Sequence, residues 1–238
     1  MEIREESERQ LVLRLHGHTV ETVNALRRAA MTLVPIVAIS TVRLSTNTSV
    51  MADEFVAHRL GLLPLVCPET QDDPAQEWEL TLDCTGPANI LSRDLQHPTL
   101  KPVSDSMLLG YLGEGQSLKL TAVARWGTGS EHARFSPVCP ITYRFLADVT
   151  VTDVEDLGAL QALCPRRVFD TPEPRADACN FCGACTKHGV TAARVSVTER
   201  PGQFELTLES TGSLSPRTIL ERAYAALHAT LTDVQDSI

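Results

Sequence analysis

The sequence lacks the long apolar runs that mark membrane and secreted proteins. No run in its 238 residues approaches the ~18 apolar residues that a membrane-spanning helix needs. The N-terminal segment MEIREESERQ is charged and carries no apolar stretch, so we expect no secretory signal there. We therefore expect an intracellular protein that does not use a membrane as a partner.

Motifs of common catalytic sites are also missing, and positive charge is in short supply. The sequence contains no GxxxxGK[ST] phosphate loop, no HExxH motif and no GxSxG motif. With 21 Lys and Arg against 30 Asp and Glu, the formal net charge is −9. Proteins that hold nucleic acid through their own field are usually basic, so we expect no direct sequence-specific contact with DNA.

Length and cysteine content bound the architecture and the redox environment. A chain of 238 residues can form one large domain or a few small ones, with a core that needs no disulfides. The seven cysteines are an odd number in a chain with no expected signal peptide, which favours a reducing compartment over a disulfide framework. Three of them are crowded into residues 179–185, and this crowding suggests a metal.

The N-terminal part of the chain predicts a strand, a helix and a second strand. Leu11, Leu13 and Leu15 are spaced two residues apart, as on one face of a strand. The helix that follows carries apolar residues at a spacing of three and four, and Pro35 ends it. Residues 37–45 are rich in β-branched side chains, and we expect this strand to be able to share a sheet with the first.

The middle of the chain predicts strands. Residues 77–84 alternate strictly between polar and apolar, and residues 118–125 predict another strand. Cys84 lies on the apolar face of the first of these, so we expect it in the core. Cys139, at the start of a later strand, is expected in the core as well.

The last part of the chain predicts two helices and a hairpin. A short helix begins with Asp153 as its N-cap, with acidic residues in its first turn. Residues 195–208 predict a hairpin whose turn is Pro201-Gly202. The last helix starts after Ser215, a favoured N-cap, and carries a long apolar stripe.

Several segments resemble the alpha-like subunits of cellular RNA polymerases, more narrowly the larger alpha-like polypeptide of the archaeal enzymes and the third-largest polypeptide of the nuclear enzymes. The segments are VNALRRAAMTLVP, NTSVMADEFVAHRLGLLPL, GTGSEHARFSPVCPITYRF and ESTGSLSPRTIL. The resemblance implies an α+β fold: a discontinuous dimerisation domain (sheet plus two long helices), an inserted mostly-β domain and a small ferredoxin-like cysteine segment. The implied bounds are 1–44 with 143–158 and 190–238 for the first, 45–142 for the second and 159–189 for the third.

The same resemblance implies a non-catalytic scaffold subunit. It would form a heterodimer with a small alpha-like subunit, dock the large catalytic subunits and nucleate assembly of the enzyme. Nucleotidyl transfer would reside in other subunits, since the DFDGD-like triad that polymerases use to hold magnesium is absent here. Such a subunit works in the nucleus if the source is eukaryotic, and in the cytoplasm if it is archaeal or viral.

The apolar stripes of the first and last helices admit two interpretations. A stripe of one face fits an ordinary core helix, whereas a broader stripe predicts burial on two sides. The resemblance favours the second, with a partner subunit covering part of each helix. The residues predicted to bind that partner are Val23, Leu26, Arg27, Ala30, Leu33, Leu220, Ala223, Leu227 and Leu231.

The segment CPRRVFDTPEPRADACNFCGACTKHG carries a ferredoxin-like pattern. Cys179, Cys182 and Cys185 follow the C-x2-C-x2-C spacing, and the last in-line cysteine of the ferredoxin run is missing. The remote pair Cys164-Pro165 resembles the cysteine-proline that completes such a cluster from elsewhere in the chain. We therefore predict one metal centre on these four cysteines, a set that suits a [4Fe–4S] cluster.

Two alternatives to the cluster stay open. Zinc suits the same four thiolates, and it also suits a Cys3His set in which His188 joins Cys179, Cys182 and Cys185. A segment with free thiols and no metal is the other alternative. The cysteine pattern also raises a second function, that of an iron–sulfur electron carrier or redox sensor.

Overall fold

The structure is a computed structural model that describes residues 1–68, 73–152, 157–187 and 194–237. The described residues form nine strands and five α-helices. The strands are β1 (Glu2–Glu6), β2 (Gln10–His16), β3 (Ile36–Asn47), β4 (Glu77–Thr85), β5 (Ala88–Leu91), β6 (Leu108–Leu112), β7 (Ser117–Gly127), β8 (Val138–Val151) and β9 (Val195–Ser210). The helices are α1 (Val20–Thr32), α2 (Asp53–Gly61), α3 (Leu157–Leu163), α4 (Ala184–Lys187) and α5 (Pro216–Asp236). None of the described helices combines the length and the apolar character that crossing a membrane requires.

The chain divides into two compact units, each assembled from separate stretches of sequence. The first unit comprises residues 1–5, 12–24 and 142–207, and the second comprises residues 6–11, 25–141 and 208–238. The boundaries of these two units differ from those of the three-part division that the resemblance implies, and that division stays a prediction.

The sheet with strand order β1-β2-β9-β8 lies largely in the first unit. Its strand β2 buries Leu11, Leu13 and Leu15, which confirms the predicted alternation. β3 belongs to a different sheet, of order β3-β7-β4, so the two strands around α1 do not share one. The physical reason is a long-range pairing: β3 is matched to β7 along its whole length, and local spacing cannot identify such a partner.

β7 is the central strand of the antiparallel three-stranded sheet in the second unit. It pairs with β3 on one side and with β4 on the other. Along β4, Trp78, Leu80 and Leu82 are buried while the residues between them are exposed, which confirms the period-two prediction. Trp78 packs edge-on against Trp126 of β7, with ring centroids 6.1 Å apart. Aromatic pairs of this geometry contribute about 0.5–1.5 kcal/mol beyond their burial.

β9 departs from the predicted hairpin. It runs as one strand of 16 residues through Pro201 and Gly202, so the predicted turn is wrong. Gly202 has a φ of +67°, which favours glycine, and its carbonyl accepts hydrogen bonds from the N–H groups of Gly17 (2.9 Å) and His18 (3.4 Å). The hydrogen bonds from Gly17 and His18 therefore hold this part of β9 within the sheet, in place of the predicted turn.

α1 and α5 lie where the apolar spacing predicts helices. α1 ends at Thr32, just before Pro35, and buries one face of the helix. At the start of α5 the Ser215 hydroxyl accepts a hydrogen bond from the N–H of Thr218 at 3.1 Å, which is the expected N-cap. α5 has 21 residues but α1 only 13, so the implied pair of long helices is not confirmed.

Two further helices differ from the sequence expectations. The residue spacing did not predict α2, because this helix is short and turns only Val56, Leu60 and Gly61 into the core. α3 begins at Leu157, within the segment where a short helix was expected. Asp153, the predicted cap of that helix, lies outside the described residues.

We predict that Gly129→Ala destabilises the second unit. A Cβ added at Gly129 would lie 2.0 Å from the carbonyl oxygen of Met31 near the end of α1, and a backbone atom cannot rotate away. Overpacking of this kind costs about 1–3 kcal/mol, so the midpoint of urea unfolding should fall. Gly113→Ala is the matched control, because its Cβ would meet only the Gln116 side chain, at 3.2 Å. Equal midpoints for the two variants would contradict the close approach.

Candidate functional site

Four cysteines line one cavity in the first unit. The cavity measures about 140 Å³, and its walls include Cys164, Cys179, Cys182 and Cys185. Cys164, Cys179 and Cys185 are buried, whereas Cys182 is exposed. The fold thus gathers the four predicted ligands around a common space, and their binding of a metal stays a prediction.

Apolar packing holds the cysteine segment in place. Cys164 directly follows α3, and Cys185 lies within α4. Three of the four cysteines belong to one buried cluster, together with Ala147 of β8, Leu160 of α3, Val195 of β9, Val168 and Phe169. Burying a side chain as large as Phe169 stabilises the fold by about 1.5–3 kcal/mol. The cysteine segment is too short to form a core of its own, and its apolar side chains therefore pack with those of β8 and β9.

Two residues of this segment have a left-handed backbone. The φ angle is +53° at Arg167 and +57° at Phe181, a conformation that costs roughly 1–2 kcal/mol for a residue with a side chain. The N–H of Arg167 donates to the carbonyl of Cys164 at 3.1 Å, and the N–H of Val168 donates to the Cys164 Sγ at 3.5 Å. Backbone strain of this kind concentrates at ligand-binding sites, and here it curls the chain around a thiol.

The four thiols also interact electrostatically. Burial raises the pKa of Cys185, and the neighbouring thiols of Cys179, Cys164 and Cys182 raise it further. Deprotonating all four would gather negative charge in a low-dielectric site, which a bound cation offsets. The chemistry of this donor set fits a metal group that accepts four thiolates.

The distances between these groups bear on what kind of metal group fits. No three Cys, His, Asp or Glu side chains in the described part of the chain lie close enough together to hold one metal ion. His188, the alternative ligand in a Cys3His set, lies outside the described residues. The four thiols therefore surround a space and do not converge on a point.

The remaining cysteines belong to the second unit and do not line this cavity. Cys67 is buried, and the N–H of Val37 donates to its Sγ at 3.1 Å. Burial raises the pKa of Cys67 to about 11. Cys84 is half-buried on β4, whereas Cys139 is exposed, so its predicted core position is wrong. The reason is the strand register: β8 turns Val138 and Ile141 inward and leaves Cys139 on the outer side.

α1 carries most of its predicted partner residues inside this chain's own core. Val23, Leu26 and Ala30 are at most 2% exposed, which leaves their side chains no surface for a partner. Arg27 and Leu33 are half-buried, and Arg27 donates an N–H to the sulfur of Met31 at 3.2 Å. The surface that α1 still offers to another polypeptide therefore consists of its half-buried side chains and of exposed polar ones such as Arg28.

α5 is buried at its beginning and exposed at its end. Of its predicted partner residues, Leu220 and Ala223 are buried, Leu227 is half-buried and Leu231 is 61% exposed. Residues 228–237 are all exposed. The first turns of α5 thus belong to this chain's core, and the later turns project beyond it.

The exposed turns of α5 carry an apolar stripe. Tyr224, Leu227, Leu231 and Val234 follow one another at i, i+3, i+7 and i+10, so they share one helix face, and we call them the α5 stripe. Val234 is 53% exposed and Tyr224 is 39% exposed. A helical stretch that buries nothing is marginal in water, because most helix stability in proteins comes from packing an apolar face.

A second apolar surface, which sequence reasoning missed, lies on α2 and β6 in the second unit. Phe55, Leu62, Leu108 and Tyr111 are each about half exposed, and we call them the α2–β6 patch. The guanidinium of Arg59 lies 5.5 Å from the centre of the Phe55 ring and donates to the carbonyl of Leu108 at 2.8 Å. The spacing of Phe55, Arg59 and Leu62 at i, i+4 and i+7 was the available signal.

Comparison with known proteins matches this chain to RNA polymerase subunits. The family model described as RNA polymerase Rpb3/RpoA insert domain matches residues 37–137. The chain is 30% identical to DNA-directed RNA polymerase II subunit rpb3 of Dictyostelium discoideum, over 99% of this chain and 93% of that protein. It is 30% identical to DNA-directed RNA polymerase subunit Rpo3 of Methanobrevibacter smithii, over 94% of this chain and 92% of the relative. Rpo3 of Methanothermobacter thermautotrophicus is 31% identical over 93% of this chain and 92% of its own length. The chain therefore belongs to the Rpb3/Rpo3 family of alpha-like RNA polymerase subunits.

We predict that alkylation of the folded, metal-free chain at pH 8 labels Cys139 well before Cys67. Cys139 is exposed, whereas at a pKa of about 11 roughly one Cys67 thiol in a thousand is ionised at that pH, and the thiolate is the nucleophile. Peptide mass spectrometry gives the order of labelling. Cys67 labelling should rise about tenfold per pH unit below pH 11, and the difference should vanish in urea. Equal rates in the folded chain would contradict the burial of Cys67.

Proposed function

We propose that this chain is a scaffold subunit of a DNA-directed RNA polymerase, which pairs with a small alpha-like subunit and docks the large catalytic subunits. The observation that carries the proposal is the match to polymerase subunits along nearly the whole chain, 99% of it for the Dictyostelium relative. A match confined to the cysteine segment would have favoured an electron carrier or redox sensor. The relatives give that alternative no support.

The α5 stripe supports the pairing with a small subunit. Its side chains are apolar and aligned, and the described residues of this chain leave Tyr224, Leu231 and Val234 exposed and Leu227 half-buried. A partner helix that packs on the stripe would bury this face and stabilise the end of α5. Apolar interfaces of that kind are typical of permanent complexes. Leu227, Leu231, Arg27 and Leu33 would supply direct contacts, and the buried residues predicted alongside them would position the helices.

The α2–β6 patch supports docking to a large subunit. It lies within residues 37–137, the part of the chain that matches the insert-domain family model. Aromatic side chains and an arginine are the residue types that dominate the centres of protein interfaces. Phe55 and Tyr111 of the patch, with the adjacent Arg59, give this surface that composition, and a large catalytic subunit is the occupant we propose for it.

The role that follows from these two surfaces is positional. The chain would hold the small subunit on one surface and a large subunit on another, which raises the local concentration of each for the other. Nucleotidyl transfer would be carried out by the other subunits of the complex. The complex would operate in the nucleus of a eukaryote, or in the cytoplasm of an archaeal or virus-infected cell.

We further propose that Cys164, Cys179, Cys182 and Cys185 hold one metal centre, and we favour a [4Fe–4S] cluster over zinc. The C-x2-C-x2-C spacing with a remote Cys-Pro pair is that of iron–sulfur proteins. The four thiols line a cavity of about 140 Å³, near the ~150 Å³ of a cavity that binds benzene. That space suits a group of several atoms. When bound, the group would supply folding free energy to a segment with no core of its own.

We predict that Leu231→Asp weakens binding of the small alpha-like polymerase subunit from the same organism about tenfold or more. The new carboxylate would be desolvated at the interface without a partner, a cost well above the 1.4 kcal/mol that corresponds to a factor of ten. Titration calorimetry of the purified subunits measures the change. Ala229→Asp is the matched control, because Ala229 is exposed on the opposite side of α5. Equal affinities for the two folded variants would contradict the α5 stripe as the interface.

We predict that the wild-type chain, purified anaerobically, carries about four iron atoms with inorganic sulfide and absorbs visible light. Cys179→Ser should lose most of the metal, whereas Cys139→Ser should keep it, because Cys139 belongs to the second unit and does not line the cavity. Elemental analysis with visible spectroscopy checks both. A colourless protein that contains zinc would show that the site binds zinc and not a cluster. A folded, metal-free product would contradict the metal centre altogether.

A further inference from the structure

An ion-pair network joins the sheet of the first unit to the turn that precedes Cys179. Arg14 on β2 donates from Nη2 to Oδ2 of Asp177 at 2.6 Å, and its side chain is only 14% exposed. Arg200 on β9 places Nη1 3.5 Å from the other carboxylate oxygen of Asp177. Charge-assisted hydrogen bonds of this kind are short and directional, so the turn that carries Asp177 is fixed relative to the strands.

Arg144 contacts Cys179 itself. From β8, its Nη1 donates to the carbonyl oxygen of Cys179 at 3.1 Å, and its Nε donates to Oε1 of Glu205 at 2.7 Å. Glu205 lies on β9, the strand between β2 and β8. Its other carboxylate oxygen lies 3.9 Å from Nε of Arg14. The carboxylate of Glu205 on β9 therefore lies between Arg14 on β2 and Arg144 on β8.

The short turn Ala176–Ala178 links the ion pairs of Asp177 to the backbone of Cys179. Asp177 is the middle residue of the turn, and the N–H of Cys179 donates to the carbonyl of Ala176 at 3.0 Å. Arg14 thus holds the turn that fixes the N–H of Cys179, while Arg144 holds its carbonyl. Fixing the peptide groups on both sides of one Cα fixes the direction of the Cα–Cβ bond that carries the thiol.

We propose that Arg14 and Arg144 are positioning residues for Cys179 in the metal centre, an inference that rests on the proposed centre itself. Neither arginine is a ligand, and each acts through the backbone of Cys179. Groups that orient a ligand in this way typically change metal affinity 10- to 100-fold when they are removed. Arg144 also places a positive charge beside a ligand, and nearby charge shifts the reduction potential of an iron–sulfur cluster.

The test uses the full chain, reconstituted anaerobically with iron and sulfide. Arg14→Gln and Arg144→Gln should lose iron to a chelator about tenfold faster than the wild type. Arg43→Gln is the matched control, because it breaks an exposed arginine–carboxylate pair with Glu79 in the second unit, and it should lose iron at the wild-type rate. Arg144→Gln should also lower the reduction potential, since a positive charge is removed, and Arg144→Lys should restore it.

The possible outcomes separate this inference from the metal centre on which it rests. A wild-type chain that takes up no metal overturns both. Wild-type loading with equal iron loss in every variant overturns the inference and leaves the metal centre standing. A further outcome is that Arg144→Gln loses iron faster at an unchanged reduction potential, with the metal-free chain unfolding at a lower temperature. That result would give Arg144 a merely structural role and would also overturn the inference. If zinc is bound in place of the cluster, the rates at which the variants and the wild type transfer zinc to a chelator are compared. Faster transfer from Arg14→Gln and Arg144→Gln, with the wild-type rate restored in Arg144→Lys, supports the inference, and equal rates overturn it.

Discussion

Among the residues that the structure describes, almost nothing packs against the later turns of α5, and the proposed role of the molecule depends on this feature. The start of the helix is fixed by the Ser215 cap and by the paired hydrogen bonds from Arg217 to Glu6, at 3.0 and 2.9 Å. Ile219 and Leu220 then bury the first turns. Beyond them the stripe from Tyr224 to Val234 faces outward, where an isolated helical stretch is marginal. Because α5 is held at its first turns, binding a partner at its apolar later turns would lose less conformational entropy than binding through a free segment.

The cysteine segment shows a related dependence on its neighbours. Its apolar residues, Phe169 and Val168, are buried in one cluster with Ala147 of β8 and Val195 of β9. Its polar contacts run to the same sheet through Arg14 and Arg144. The segment is therefore ordered by the sheet, and a metal bound to its thiols would add folding free energy to an arrangement that packing has already selected.

Sequence spacing predicted the elements whose burial is local and one-sided. The alternation over β4, the helix from Val20 and the cap at Ser215 all follow from patterns of a few residues. Spacing did not choose the partner of β3, because strand pairing is decided by residues more than seventy positions away. It also misjudged Pro201-Gly202, a pair that favours a turn by local preference but lies within a strand here, where the N–H of Gly17 donates to the Gly202 carbonyl.

The candidate sites divide in the same way. The spacing of Cys179, Cys182 and Cys185 predicts one metal centre, which stays a prediction, and the fold places these cysteines around one cavity. Arg14 and Arg144 could not be foreseen, because only the folded sheet brings those distant strands to Cys179. Likewise an apolar stripe does not tell which side of a helix its own chain will cover. Val23 and Leu26 are covered, and Leu231 is not.

Amide hydrogen exchange along α5 tests the central claim most directly. It is measured on the free chain and on the chain mixed with the small alpha-like polymerase subunit of the same organism. The account predicts that residues 216–223 are protected in both samples, and that residues 224–236 exchange quickly in the free chain but slowly in the mixture. Full protection of residues 224–236 in the free chain, or no gain of protection on mixing, would contradict it.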